Sequence, residues 1–338
     1  MYKLLLKIIK YWKHGVSYGL KLSKSIACPI NFHIEITNIC NLRCIYCPQS
    51  QVKEHFNIIG KGKMDYKTYT SILNKLLASW KLKEIVLTRD GEPLVHPDLH
   101  RFIQYASEKK LLVTISSNGT YFVKSRVKQL IDSGLTQVKG DFCYDKEKYE
   151  KLRTGAKWYK VLQGYKNLLE YAVSNNKRFN LVLTDLNTYD LNKDKDIKNS
   201  VNKMYELFPY PKHVIQIYPA VIHNALNNSL VRLSASENLV SKKYNLCHHP
   251  WVEMVIDYKG NVVACCRDLR SEYIVGNILH CNDIKKEIWN GERMIYLRRN
   301  LAKRKPEKIT ICKKCDIPYG ISYAGRGIFN KIKKFLFN

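Results

Sequence analysis

"CNLRCIYC", residues 40–47, places cysteines at 40, 44 and 47, and no fourth cysteine follows within reach of that loop. Structural zinc sites are closed by four ligands, usually in two close pairs, so zinc fits this stretch poorly. Three thiolates spaced C-x3-C-x2-C fit one face of a cubane iron–sulfur cluster, whose usual ligands are cysteines. On a four-iron cluster they leave one iron open for a small molecule. The plain alternative is three buried cysteines packed as small apolar groups, but this spacing seldom arises by chance.

The flanks of the loop place it in a fold. "FHIEIT" (32–37) alternates apolar and polar residues as a strand does, and Asn38 and Asn41 supply turn chemistry after it. Cys40 therefore stands at the C-terminal end of a first strand, where α/β barrels keep their chemistry. The unit then repeats. Further strands are expected at 84–88, 111–117, 135–140, 179–186 and 213–219, with helices near 65–79, from about Asp98, and near 158–174. Alternating strands and helices imply a parallel sheet with right-handed crossovers. Six units rather than eight imply an α/β fold of the partial (β/α)6 barrel type, similar to an open TIM barrel.

C-N-L-R-C-I-Y-C after such a strand resembles the radical S-adenosylmethionine (SAM) superfamily. The resemblance implies that Cys40, Cys44 and Cys47 hold a 4Fe–4S cluster, with Tyr46 beside the cofactor. It also implies that SAM binds the open iron through its amino and carboxylate groups, and that its cleavage yields a 5′-deoxyadenosyl radical that takes hydrogen from a substrate. "TRDGEPLVHPDL" (88–99) is similar to the family's Gly-Gly-Glu segment: Gly91, Glu92 and Pro93 match, but Asp90 stands where glycine is frequent. In "SSNGT" (116–120), Ser117 and Asn118 stand where the family contacts the ribose and carboxylate of SAM. "YEKLR" (149–153) matches a further family run, and Arg153 would pair with the SAM carboxylate, a task suited to a guanidinium fork. The strand before it ends "GDFCYD" rather than in the usual Asp-Gly, so Asp141 and Cys143 receive no fixed role. A turn explains the glycine segments in part, and a solvated helix face is the ordinary reading of Arg153.

Six more cysteines lie beyond the barrel, five of them Cys247, Cys265, Cys266, Cys312 and Cys315. "WVEMVIDYKGNVVACC" (251–266) reads as a hairpin turning at Lys259-Gly260-Asn261. With "CKKC" (312–315) the stretch resembles the SPASM iron–sulfur extension, or its shorter twitch form. No cysteine follows Cys315, so the shorter form is expected, a small α+β extension with one auxiliary 4Fe–4S cluster on Cys247, Cys265, Cys312 and Cys315. Cys266 could replace Cys265. A zinc site on the same four cysteines is the rival. Cys28 and Cys281 are expected to be non-ligands, and His248 and His249 to lie at a loop edge. The domain reading is 1–30, a basic amphipathic segment; 31–240, the barrel; 241–320, the auxiliary domain; and 321–338, a basic amphipathic tail.

The 338 residues carry 57 basic and 29 acidic side chains, a net charge of +28. A basic chain invites a nucleic-acid reading, but residues 1–30 hold six lysines and no acid, and residues 321–338 four basic residues and no acid. The remaining charge is spread out, so nucleic acid is disfavoured. A phosphorylated substrate or an anionic membrane face is favoured instead. Lys3, Lys7 and Lys10 oppose Leu4, Leu5, Ile8 and Trp12 on a helical wheel, as a peripheral membrane contact would require. Eleven clustered cysteines imply metal ligation in a reducing compartment, hence the cytoplasm, with contact at the inner membrane face left open.

The resemblance to short-form dehydrogenases acting on 2-deoxy-scyllo-inosamine rests on the gap between Cys247 and Cys265 and on the final Cys-x2-Cys. It implies oxidation of a hydroxyl-bearing small molecule or glycan, with an electron donor such as flavodoxin or ferredoxin. Epimerases and peptide maturases share the architecture. An epimerase would need a hydrogen donor, for which Cys143 is the first candidate. A non-catalytic metal-binding module acting through its basic surface is the reading of a different class; it predicts no SAM cleavage.

Overall fold

The computed structural model describes residues 12–51, 59–189, 191, 193–220, 244–313, 315 and 317–319. Six parallel strands follow one another across one sheet: β1 (Asn31–Ile34), β2 (Glu84–Val86), β3 (Leu112–Ser116), β4 (Leu135–Phe142), β5 (Asn180–Asp185) and β6 (Ile215–Pro219). Their crossovers carry α1 (Tyr66–Ser79), α2 (Leu99–Glu108), α3 (Lys124–Asp132), α4 (Lys146–Leu152), α5 (Trp158–Ser174) and α6 (Asp194–Leu207). β6 does not pair with β1, so the sheet stays open as a partial barrel.

Local chemistry sets these elements. Asp65 caps α1 by accepting from Thr68 N at 2.9 Å, and Asp145 caps α4 by accepting from Lys148 N at 2.9 Å. α1 buries Tyr69, Ile72, Leu73 and Leu76, an i, i+3, i+4, i+7 stripe. On the sheet, Ile85, Val113, Ile115, Val138, Leu181 and Leu183 are fully buried against the helices. Their neighbours along the strands are Thr114, Gln137, Lys139, Asp141 and Thr184. Parallel sheets covered on both faces run apolar throughout; these strands alternate because only one face meets helices. The other face is polar.

The sheet does not stop at the barrel. β7 (Glu253–Ile256) pairs parallel with β1, from Asn31↔Glu253 to Ile34↔Ile256. β8 (Asn261–Val263) and β9 (Ile274–Asn277) continue antiparallel to it, and α7 (Glu292–Ala302) follows, packed on the helical turns His249–Val252 and Ile284–Trp289. The expected hairpin is therefore present, with Gly260 in its turn at φ +83°. It extends the barrel's own sheet.

Residues 12–30 dock on this C-terminal half. Trp251 Nε1 donates to Leu22 O at 2.8 Å, Trp289 Nε1 to Ala27 O at 2.7 Å, and Arg298 Nη1 to Ser23 O at 3.2 Å. The lysine face at Lys3, Lys7 and Lys10 and the tail 321–338 lie outside the described residues. Among the described residues, no helix is long and apolar enough to cross a membrane.

Candidate functional site

The loop after β1 brings Cys40, Cys44 and Cys47 together. Burial raises all three thiols, Cys47 to about 12, and the nearby thiols and acids raise them further. Neutral thiols are costly to ionise here without a cation, and bound metal supplies the compensating charge. The loop is fastened on both sides: Arg43 N donates to Thr154 O at 2.9 Å and Ile45 N to Leu152 O at 3.0 Å. Gln49 Nε2 reaches Asn38 O at 2.7 Å and Asp90 O at 3.1 Å.

The strand ends beside the loop carry the other expected residues. Gly91 lies against the root of the loop: a Cβ there would stand 2.4 Å from Thr37 O and 2.8 Å from Asn38 Cα. Pro93 opens a single 3-10 turn, and Glu92 caps it by accepting from Leu94 N at 3.0 Å. The same carboxylate accepts from Ser117 Oγ at 2.9 Å and Asn118 N at 2.7 Å. Glu92, Ser117 and Asn118 are thus tied to one another, and Glu92 clamps the end of β2 to the end of β3. Asn118 Nδ2 lies 3.8 Å from Cys40 Sγ and donates to Asn41 Oδ1 at 2.8 Å.

Arg153 is 6% exposed and sits beneath the cysteine loop. Its Nη1 donates to Asp141 Oδ2 at 2.7 Å and to Tyr46 OH at 2.8 Å. Its Nε is buried and, among the described residues, has no partner. Asp141, unassigned from sequence, is therefore the counter-ion of Arg153. Cys143 is fully buried, its Sγ donating to Asn187 Oδ1 at 2.8 Å.

A second cysteine set lies beyond β7. Cys247, Cys265, Cys312 and Cys315 line one cavity, together with His249 and Arg267. Burial raises Cys247, Cys265 and Cys312, the last to about 12, and each also feels the neighbouring thiols. Cys266 does not line the cavity: its Sγ is 3.9 Å from His249 Nδ1 and its N–H donates to Glu253 Oε1 at 2.8 Å. Neither cysteine set closes to within 4.8 Å among the described residues. Four thiolates on one zinc ion would stand about 3.8 Å apart, so the wider spacing suits a cluster that spreads its ligands over several irons. Cys28 is exposed, and Cys281 is buried with its Sγ near Ile278 O, both apart from these sets.

Residues 34–194 match the sequence model described as the Radical SAM superfamily, and residues 247–316 the one described as an iron–sulfur cluster-binding domain, SPASM. The chain is a radical SAM protein with a SPASM domain. These domains imply a SAM-binding 4Fe–4S cluster, auxiliary iron–sulfur ligation and SAM itself, and the donor sets just described fit them. Among relatives, the tungsten-containing aldehyde ferredoxin oxidoreductase cofactor-modifying protein of Pyrococcus furiosus is 25% identical over 79% of this chain and 82% of its own length. The GTP 3′,8-cyclase of Listeria monocytogenes is 26% identical over 48% of this chain and 50% of its own. The structure resembles that of BtrN in complex with AdoMet and 2-DOIA (TM-score 0.55, 20% identity, 86% of this chain and 94% of that one). It also resembles anSMEcpe with bound AdoMet (TM-score 0.58, 16% identity, 91% and 97%). At these identities the two structures speak for the fold.

Sequence reading missed a pair that joins the two cysteine regions. Arg89 Nε donates to Glu35 Oε1 at 3.0 Å, with the side chains 1% and 0% exposed. Arg89 Nη1 also donates to Asp268 O and Ser271 Oγ, each at 3.1 Å. β1, the Gly91–Glu92 segment and the loop after β8 thus share one buried ion pair. An acid inside "FHIEIT" was the available signal.

Proposed function

We propose that this radical SAM protein is an oxidoreductase that dehydrogenates a hydroxyl-bearing small molecule or glycan and passes the released electron to one auxiliary 4Fe–4S cluster. The observation that carries this reading is the cavity lined by Cys247, Cys265, Cys312 and Cys315. Four thiolates saturate such a cluster, leaving no iron for substrate and electron transfer as its use.

When bound, SAM and the cluster on Cys40, Cys44 and Cys47 supply a hydrogen-abstracting radical. Gly91 lets the backbone approach that loop closely, Glu92 sets the strand ends, and Ser117, Asn118 and the buried Arg153 with Tyr46 and Asp141 form the polar wall beside it. The substrate carbon would give up a hydrogen atom and its hydroxyl a proton, and a cluster held by Cys247, Cys265, Cys312 and Cys315 would supply the acceptor for the one electron released as the carbonyl forms.

The polar face of the sheet supports a small polar substrate. Lys139 on β4 is exposed, and Asp141, Thr184 and Tyr218 form one row across β4, β5 and β6. Such a face offers hydrogen bonds to hydroxyls and a cation to a phosphate. A low-potential donor such as flavodoxin or ferredoxin would reduce the SAM-binding cluster. The likeness in fold to BtrN, whose complex holds AdoMet and 2-DOIA, agrees with this reading.

The test is Cys312→Ala with Cys315→Ala, incubated anaerobically with dithionite, SAM and an extract of the native host. Mass spectrometry should find deoxyadenosine but no metabolite lighter by two hydrogen atoms, while the wild type makes both. Circular dichroism should show the barrel intact. Undiminished turnover by the double variant would favour a redox-neutral epimerisation.

A further inference from the structure

One donor set adjoins the auxiliary cavity, which His249 also lines, but takes its sulfur from Cys266 rather than from the four cavity cysteines. His249 Nδ1 lies 3.0 Å from Glu253 Oε1 and 3.9 Å from Cys266 Sγ. The three donor atoms fall within 4.8 Å of one another, and among the described residues no other group of three His, Cys, Asp or Glu donors does so.

The set is built into the fold. His249 opens a single helical turn over His249–Val252, and Glu253 follows four residues later as the first residue of β7. Cys266 follows β8, and its backbone N–H fixes Glu253 Oε1 at 2.8 Å. At Cys265-Cys266 the chain therefore offers one thiol to the auxiliary cavity and the next to Glu253 and His249. Glu253 is 4% exposed, while His249 and Cys266 are half-buried, so the donors are held firmly and remain open to solvent on one side.

The spacing is that of a single ion. A tetrahedral zinc with sulfur at about 2.3 Å and nitrogen or oxygen at about 2.0–2.1 Å holds sulfur and nitrogen about 3.6 Å apart, and nitrogen and oxygen about 3.3 Å apart. The present 3.9 and 3.0 Å differ from those separations by about 0.3 Å, within reach of a small side-chain rotation. A thiolate, an imidazole and a carboxylate together favour zinc over the hard cations, which prefer oxygen alone.

We propose that His249, Glu253 and Cys266 bind one divalent cation of the zinc class, distinct from both iron–sulfur sites. Binding replaces the proton of the Cys266 thiol, which passes to solvent. Three protein donors leave a fourth position for water or a substrate oxygen. Asn31↔Glu253 is a register pair, so His33, two residues on in β1, shares a face of the sheet with Glu253. That is the polar face proposed to receive substrate. The metal site itself stands independently of that substrate reading.

The experiment uses the full chain with both clusters reconstituted, stripped of loose metal by a chelator, given zinc sulfate and desalted. About one zinc per chain should remain, and zinc K-edge absorption should show one sulfur neighbour with two or three nitrogen or oxygen neighbours. Cys266→Ser should lower retained zinc about tenfold or more at unchanged iron content, which also reports that it is folded; His249→Gln should lower zinc likewise, with circular dichroism reporting its fold. The proposal is overturned if zinc washes off the wild type, if it shows four sulfur neighbours, or if both variants retain it as the wild type does.

Discussion

Replacing Arg89 by methionine removes the cation from the buried Glu35 carboxylate. Arg89 makes hydrogen bonds to Glu35 Oε1, Asp268 O and Ser271 Oγ at 3.0–3.1 Å, and both charged side chains are essentially inaccessible. Removing one member of a buried pair costs about 3–5 kcal/mol, because the other charge stays behind unpaired. Asp90 N and Tyr258 N still reach the carboxylate, at 3.2 and 3.3 Å, which favours the low end of that range. About 1 kcal/mol moves the melting temperature by roughly 2–4 °C in domains of 150–250 residues, and by less in a longer chain, so a fall of roughly 5–10 °C is expected. Burial holds Glu35 above the ordinary glutamate range, and Arg89 opposes that rise. Without Arg89 the folded carboxyl sits higher still. A raised carboxyl contributes stability below its unfolded value and loses it as pH climbs through the folded one. The deficit should therefore widen as pH rises above the ordinary glutamate range. Glu35→Gln together with Arg89→Met should recover part of it, since no charge is left buried. Anaerobic thermal scans of the reconstituted protein measure all three. A melting temperature within 2 °C of wild type, or a double variant no better than the single one, would refute the reasoning.

Gly91→Ala drives a methyl group into the backbone of Thr37 and Asn38. Such overpacking costs about 1–3 kcal/mol, and SAM affinity measured by equilibrium dialysis should fall while the auxiliary cluster's iron is retained. Asp141→Asn leaves Arg153 buried without its counter-ion. Because Asp141 is 36% exposed, the expected cost is about 1–3 kcal/mol, below that of a fully buried pair, and deoxyadenosine formation should slow. Cys312→Ala with Cys315→Ala should lower iron from about eight to about four per chain, read by iron analysis and electron paramagnetic resonance.

The barrel was legible because each βα unit carries its own period. The stretch 158–174 coincides with α5, and Asp65 and Asp98 stand just before α1 and α2. The cysteine groups were legible because thiolate spacing is local. The pairing of β7 with β1 was not, since Asn31 and Glu253 lie far apart in the chain and nothing in either segment names its partner. A separation of 54 residues likewise hid the Glu35–Arg89 pair, whereas Asp141, only 12 residues from Arg153, was missed because its strand end departs from the family's pattern. The burial of Cys143 was hidden too, because a strand end in the chain does not tell what covers a side chain; it belongs to the main core cluster.

The central claim is that Cys40, Cys44 and Cys47 hold the cluster on which SAM is cleaved, while a second set of four cysteines holds another. The most direct measurement is iron and acid-labile sulfide per chain after anaerobic reconstitution, taken with deoxyadenosine release under dithionite. The wild type should hold about eight irons and eight sulfides and release deoxyadenosine. The triple variant Cys40→Ala, Cys44→Ala, Cys47→Ala should hold about four of each and release none. Zinc in place of iron in the anaerobically purified protein, or deoxyadenosine from the triple variant, would contradict the account.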